Sequence, residues 1–184
     1  GLLRSPPHGL PVLPELFTQR RQERKAEHPL YLYPDAAGKK LSLRLSDREI
    51  FSDLIPEGKA DMVLSVEPME SLRYIPMLSE TGWLITNTQP FINIPNYPEL
   101  EAVMAEVKKQ PRHVAINADQ IAKDLGNPKS ANMVMLGAAS PFLDMPFEQF
   151  EKAIRMIFRS KGEEVIEGNI KALRAGRDFA ESHQ

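Results

Sequence analysis

The sequence predicts an α/β domain built on an open sheet of alternating strands and helices. Three observations carry this. Residues 62–66 (Met-Val-Leu-Ser-Val) are a short apolar run of strand length. Polar residues and Pro68 follow, and the apolar positions switch to helical spacing until Gly82. Residues 83–87 then read as a second strand ending in polar residues. Strand, helix and strand make one repeat of an open parallel sheet, whose ligands bind beyond the carboxyl ends of the strands.

Residues 1–40 read as an irregular, proline-rich and charged N-terminal segment. Pro6, Pro7, Pro11, Pro14, Pro29 and Pro34 each remove a donor and fix φ, so only residues 15–27 keep a helical option. The charge run over 20–27 mixes Glu23 and Glu27 among its bases and has no interleaved aromatics, which suits a solvated helix face better than a nucleic-acid arm.

Globular texture begins at residue 41 and runs to 184 as one domain. Leu41, Leu43 and Leu45 alternate with Ser42 and Arg44, predicting a strand with one buried face that pairs at a sheet edge. The nearly continuous apolar run 62–66 predicts a strand covered on both faces, marking the interior of the sheet. Pro68 suits a first helical turn, Glu67 and Glu70 stand near its positive end, and Met69 and Leu72 supply an apolar side. Beyond 83–87, Pro90, Pro95 and Pro98 impose a loop. Residues 99–109 read as a helix with Leu100, Val103, Met104 and Val107 on one face, and 114–116 as a third buried strand. Asp119 is expected to cap a helix over 120–125, which Gly126-Asn127-Pro128 closes. Three helices remain. Residues 131–140 are apolar, Pro146 opens the next with Phe147, Phe150, Ile154 and Ile157 toward the core, and 163–180 carries Val165, Ile166, Ile170 and Leu173 inward with Arg174 and Arg177 toward its negative end.

Composition narrows the functional classes. The chain has 184 residues, 42% of them hydrophobic, enough for one well-packed domain and short for two. Lys and Arg total 23 against 25 Asp and Glu, a net charge of -2, so no global basic field draws nucleic acid or an anionic membrane. The absence of cysteine excludes a disulfide, a thiol nucleophile and a thiolate-ligated zinc or iron–sulfur centre in this chain. His8, His28, His113 and His183 show no ligand spacing, so no metal site is expected. The ten glycines are scattered, without a phosphate-binding pattern. No apolar run approaches the roughly 20 residues that span a bilayer, and the first residues lack the apolar core of a signal peptide, so the expected location is cytoplasmic.

Candidate chemistry therefore sits at the strand ends. Glu67 has two readings, a helix N-terminal charge and a general base or hydrogen-bond acceptor. Asn87 and Thr88 offer donors and acceptors for phosphate, carboxylate or amide recognition, and equally suit the satisfaction of a loop. Asn132, after Lys129 and Ser130, stands at the start of an apolar helix, as a cap or beside free amides that hold an anion.

Several segments, taken in order, carry a family resemblance: 43–47, 52–61, 67–74 (Glu-Pro-Met-Glu-Ser-Leu-Arg-Tyr), Asn87-Thr88, Gly126-Asn127, 131–138 (Ala-Asn-Met-Val-Met-Leu-Gly-Ala) and 173–177 (Leu-Arg-Ala-Gly-Arg). Over residues 43–180 the chain resembles the gamma-type domain of 2-oxoacid:ferredoxin oxidoreductases, and within that family the beta subunits of the indolepyruvate type. The resemblance implies a three-layer α/β/α, Rossmann-like domain with a mostly parallel sheet, acting as a subunit of an enzyme that oxidatively decarboxylates indolepyruvate and other arylpyruvates to acyl-coenzyme A and passes electrons to ferredoxin. It implies that thiamine diphosphate and iron–sulfur clusters belong to a large alpha partner subunit, with coenzyme A a possible co-substrate and this chain inactive alone. No catalytic residue is assigned to the chain, and Glu67, Asn87, Thr88 and Asn132 are placed facing the substrate region or the shared interface. Apolar surface left at such an interface would favour a homodimer when the chain is isolated.

The departure from the family lies at the front. Members open with a hydrophobic strand and a Gly-x-Gly-Gly-Gln-Gly loop, and carry a His-Gly-Met-Ser-Gln-Arg-Gly-Gly segment before the strand that matches residues 41–45; neither is present. The expectation is an altered or replaced N-terminus, and no residue is carried over from those two motifs. Two further classes stand beside the oxidoreductase subunit: a non-catalytic interaction or regulatory module that has lost the glycine-rich loop, and a stand-alone nucleotide-binding α/β protein. Reconstitution with an alpha subunit separates the first two, and calorimetric titration with nucleotides and coenzyme A separates the third.

Overall fold

The computed structural model describes residues 31–34, 41–44, 54–92 and 96–183; the helical option at 15–27 lies outside them. In chain order the elements are β1 (Tyr31–Pro34), β2 (Leu41–Arg44), β3 (Ala60–Ser65), α1 (Pro68–Arg73), β4 (Leu78–Asn87), α2 (Leu100–Lys108), β5 (His113–Ile116), α3 (Ala118–Asp124), α4 (Ala131–Ala139), α5 (Phe147–Phe158) and α6 (Glu163–Ser182), joined in places by single 3-10 turns.

The strand expected from residue 41 is present, and its partner is local. β1 and β2 form a two-stranded antiparallel ribbon with Tyr31 opposite Arg44 and Pro34 opposite Leu41. The stretch expected to be irregular thus includes a strand, with Pro34 at the strand's terminus, where the missing N–H interrupts no interior ladder.

The main sheet has the order β3-β4-β5 with both pairings parallel. This corrects the expectation for residues 62–66. Among the described residues β3 is an edge and β4 the middle strand: Leu84 and Ile85, which as neighbours point to opposite faces, are both fully buried. Met62, Val63 and Leu64 are only half-buried, and Val66 falls outside the strand and is exposed. An apolar run reports that a strand is shielded, but not which strand stands in the middle.

β4 also begins five residues earlier than its apolar segment suggests, at Leu78, so Gly82 lies inside the strand and does not mark its start. A Cβ on Gly82 would stand 2.7 Å from the Ala60 carbonyl oxygen, and the β3–β4 register shifts between Ala60 and Met62 at the same place. Glycine here admits a close backbone approach at an irregular pairing.

The helices follow their sequence signals closely. Pro68 occupies the first turn of α1 and Pro146 precedes α5. α3 ends with Gly126 at φ 73°, the Gly126 amide donating to the Lys123 carbonyl and the Asn127 amide to Ala122, both at 2.9 Å, which satisfies the last orphan carbonyls. One cap is corrected: Asn117, not Asp119, caps this helix, its Oδ1 accepting from the Gln120 amide at 3.0 Å. Val165, expected inward, is exposed. α6 runs on to Ser182, so Arg174 and Arg177 lie within it and pair with Glu151 and Glu181.

The core joins Ile85, Val114 and Ile116 of the sheet to α4 and α6, with Met133, Leu136, Phe150, Ile154, Ile170 and Leu173 buried among them. α4 and α6 touch backbone to backbone. A Cβ on Gly137 would lie 1.9 Å from the Leu173 carbonyl oxygen, and one on Gly176 the same distance from that of Val134. Each helix therefore offers the glycine that the other's carbonyl needs. α1 and α2 pack on each other and make up the remaining helical cover of the sheet.

Candidate functional site

The carboxyl ends of three parallel strands lead into Glu67, into Asn87 and Thr88, and into Asn117 and Asp119. What gathers them is the side chain of Asn87, 6% exposed at the end of the middle strand. Its Nδ2 donates to Asp119 Oδ2 at 2.7 Å and to the Val66 carbonyl at 3.3 Å. Its Oδ1 accepts from the Ala118 amide at 3.1 Å and the Gln89 amide at 3.4 Å. A carboxamide has two donors and two acceptor positions, and all are engaged. Asp119, freed from the cap expected of it, serves instead as the partner of Asn87. The Thr88 amide donates to the Ile116 carbonyl at 2.9 Å, extending the β4–β5 ladder past the strand, and its side chain is half-buried.

Glu67 is buried at the N-terminus of α1. Its Oε2 accepts from the Glu70 amide at 2.7 Å, which is the cap expected where a carboxylate precedes the first turn of a helix. The Ser65 hydroxyl donates to the Glu67 carbonyl at 2.6 Å and steadies the turn. The other carboxylate oxygen, Oε1, accepts from the hydroxyl of Tyr97, a residue the sequence reading passed over as part of a proline-rich loop. Desolvation, then the hydrogen bond to Glu67 and its negative charge, push Tyr97 up to about 12. The only available signal was its neighbour Pro98, which favours extended backbone at Tyr97 and so a side chain turned away from the loop.

Asn132 stands apart from this cluster. It is half-buried in the first turn of α4, and its Oδ1 accepts from the Met133 amide at 3.0 Å. No hydrogen bond joins it to Glu67 or Asn87 among the described residues. His113 begins β5, at the opposite end of the sheet, with Nδ1 2.7 Å from the Gln110 carbonyl.

The face thus carries two carboxylates, Glu67 held by the Glu70 amide and the Tyr97 hydroxyl, and Asp119 held by the Asn87 carboxamide. Its groups hold one another, an arrangement suited to presenting a fixed surface. Among the described residues no three His, Asp or Glu side chains stand close enough to hold a metal ion, and no helix is long and apolar enough to cross a membrane. Phe91 and Ile92, in the segment leaving this face, are each 70% exposed.

Comparison with known proteins places this geometry. The family model described as pyruvate ferredoxin/flavodoxin oxidoreductase matches residues 40–179. The indolepyruvate oxidoreductase subunit IorB of Archaeoglobus fulgidus is 36% identical over 141 residues, 72% of this chain and 69% of the relative. That of Methanothermobacter thermautotrophicus is 35% identical over 146 residues, 76% of this chain and 74% of the relative. Among solved structures, the pyruvate oxidoreductase subunit PORC of Thermotoga maritima aligns with a TM-score of 0.54 at 22% identity, over 91% of this chain and 85% of that one. The 2-oxoglutarate:ferredoxin oxidoreductase of Magnetococcus marinus aligns with a TM-score of 0.52 at 20% identity, covering 71% of this chain and 22% of that much longer one. The two structures share its fold.

Proposed function

The chain belongs to the pyruvate ferredoxin/flavodoxin oxidoreductase family, and from that premise we propose that it is the cofactor-free subunit of an indolepyruvate-type 2-oxoacid:ferredoxin oxidoreductase. Its kinship with two indolepyruvate subunits, over about seven-tenths of each, carries the assignment. The complete enzyme would take an arylpyruvate and coenzyme A, release carbon dioxide, form the acyl thioester and deliver two electrons to ferredoxin. The electron-handling groups belong in a large alpha subunit. No cysteine is available here to ligate an iron–sulfur cluster. The strand ends present the carboxylates of Glu67 and Asp119, which repel a diphosphate, so thiamine diphosphate does not fit this face either.

What this chain supplies is shape. Glu67 and Tyr97 fix the start of α1, Asn87 locks three strand ends together, and Thr88 carries the sheet one residue further. In this proposal that surface, together with Asn132 at the start of α4, faces the substrate region or the shared interface. Groups already satisfied within the chain need little reorganisation on association, which lowers its cost.

The test is co-expression with an indolepyruvate alpha subunit. A complex that survives size-exclusion chromatography and reduces an electron acceptor in the presence of indolepyruvate and coenzyme A is expected. Neither complex nor arylpyruvate-dependent reduction would sink the proposal, and pyruvate used in preference to indolepyruvate would correct the substrate.

A further inference from the structure

Glu67 has only two carboxylate oxygens, and one is spent on the Glu70 amide of α1. Tyr97, 30 positions along the chain, takes the other. Three residues beyond Tyr97, α2 begins at Leu100. The starts of two neighbouring helices are therefore tied to one another, and through Glu67 to the end of β3. We propose that Tyr97 is a positioning residue: its hydroxyl, donating to the Glu67 carboxylate that caps α1, pins the entry of α2 to the start of α1 and holds the strand-end face in the shape the alpha subunit meets.

A merely filling role for this ring is hard to reconcile with its surroundings. An apolar contact would not need the buried carboxylate, which accepts from the hydroxyl. The upward push on Tyr97 has its source in the same burial and the same carboxylate. Helix starts leave amides in need of acceptors, and here the carboxylate that accepts the Glu70 amide is itself held by a tyrosine from outside the helix. The role in association rests on the oxidoreductase-subunit proposal, whereas the pin itself is a property of the isolated chain.

The experiment separates the two. Amide hydrogen exchange is measured on the full chain carrying Tyr97→Phe, Glu67→Ala or both. Tyr97→Phe is expected to speed exchange at residues 69–71 and 99–102 about tenfold, as loss of a bond to a charged acceptor should, with α4 and α6 unchanged. The double variant is expected to be no faster than the faster single, because each removes the same contact. Exchange within twofold of the parent, acceleration spread through α4 and α6, or a double variant equal to the product of the singles overturns the pin. Binding to the alpha subunit is then measured by surface plasmon resonance, and Tyr97→Phe is expected to weaken it at least about fivefold. Equal binding of parent and variant overturns the role in association. A parent that does not bind at all overturns the subunit proposal instead, and the exchange cycle still decides the pin.

Discussion

Replacing Gly137 by alanine sets helix propensity against packing, and the two predict opposite signs. In a helix interior alanine is favoured over glycine by about 1 kcal/mol, so propensity alone forecasts stabilisation. The structure forecasts the reverse. The added Cβ would lie 1.9 Å from the Leu173 carbonyl oxygen, 2.8 Å from its carbon and 3.0 Å from the Arg177 amide nitrogen. A carbon and a carbonyl oxygen tolerate about 3.3 Å, so α4 and α6 must part by about 1.4 Å. No side chain can yield, because every atom struck is backbone. A gap of about 0.5–1 Å already forfeits a quarter to a half of the dispersion well, and a buried leucine makes some 40–60 such contacts. Leu173 and Val134, both fully buried beside the glycines, would each lose one or two kcal/mol on this reasoning. Net of propensity, Gly137→Ala should destabilise by about 2 kcal/mol, lowering the melting midpoint by about 4–8 °C in a chain of this size. The assay is thermal unfolding followed by circular dichroism. Gly176→Ala should behave alike, and the double variant should cost less than the sum, since helices already parted admit the second methyl more easily. Gly168→Ala, on α6, is the control: its Cβ would meet only a side-chain nitrogen of Asn127 at 3.3 Å, so no loss beyond about 0.5 kcal/mol is expected. A midpoint for Gly137→Ala equal to or above that of the parent would refute the close-approach argument.

Other outcomes follow from the strand ends and the core. Asn87→Ala deserts four hydrogen-bond partners, one of them the buried Ala118 amide, and should lower stability in urea by about 3 kcal/mol. Asn87→Asp keeps the size but turns an acceptor toward Asp119, so it should be the worse of the two at neutral pH and recover part of its loss on acidification. Because Tyr97 is raised from 10.0 to about 12, its neutral form is the one that folding favours. Its contribution is complete below pH 10.0 and is lost as pH climbs through about 12, so the urea midpoint of the parent should fall over that window more steeply than that of Tyr97→Phe. Trp83, the chain's single tryptophan, stacks on Phe142 with ring centroids 3.8 Å apart. Phe142→Ala should shift its fluorescence to longer wavelength and cost about 1–2 kcal/mol, and an unshifted emission would show that the stack is absent in solution.

The parts of the fold that were readable in the residues are those whose cause is local. Pro68 and the spacing of Met69 and Leu72 announce α1, and Gly126 announces the end of α3, because proline geometry and a positive φ belong to single positions. The N-cap role of Glu67 was one of its two readings for the same reason. Order in the sheet was not readable: residues 62–66 are the more continuous apolar run, yet β4 is the covered strand, since position depends on which neighbours pair. Gly82 resembled a helix stop because its actual reason, the Ala60 carbonyl, comes from another strand. Asp119 yielded the cap of α3 to Asn117 for a partner 32 positions away in the chain. Apart from Pro98 nothing marked Tyr97, and the glycine pair was invisible on the same ground: the tyrosine has its meaning opposite the remote Glu67 carboxylate, the glycines opposite a remote helix backbone.

Because every hydrogen-bonding position of Asn87 is spent inside the chain, this residue behaves like a rivet rather than a receptor. No isostere replaces it: aspartate has no donors to give, leucine has neither donors nor acceptors, and glutamine shifts the amide outward by one methylene. In the proposed role, a molecule docking on this face would find its centre already closed, and its own contacts would come from the rim, at the half-buried Thr88 and the exposed Val66. The fastening keeps three strand ends assembled whatever the rim carries.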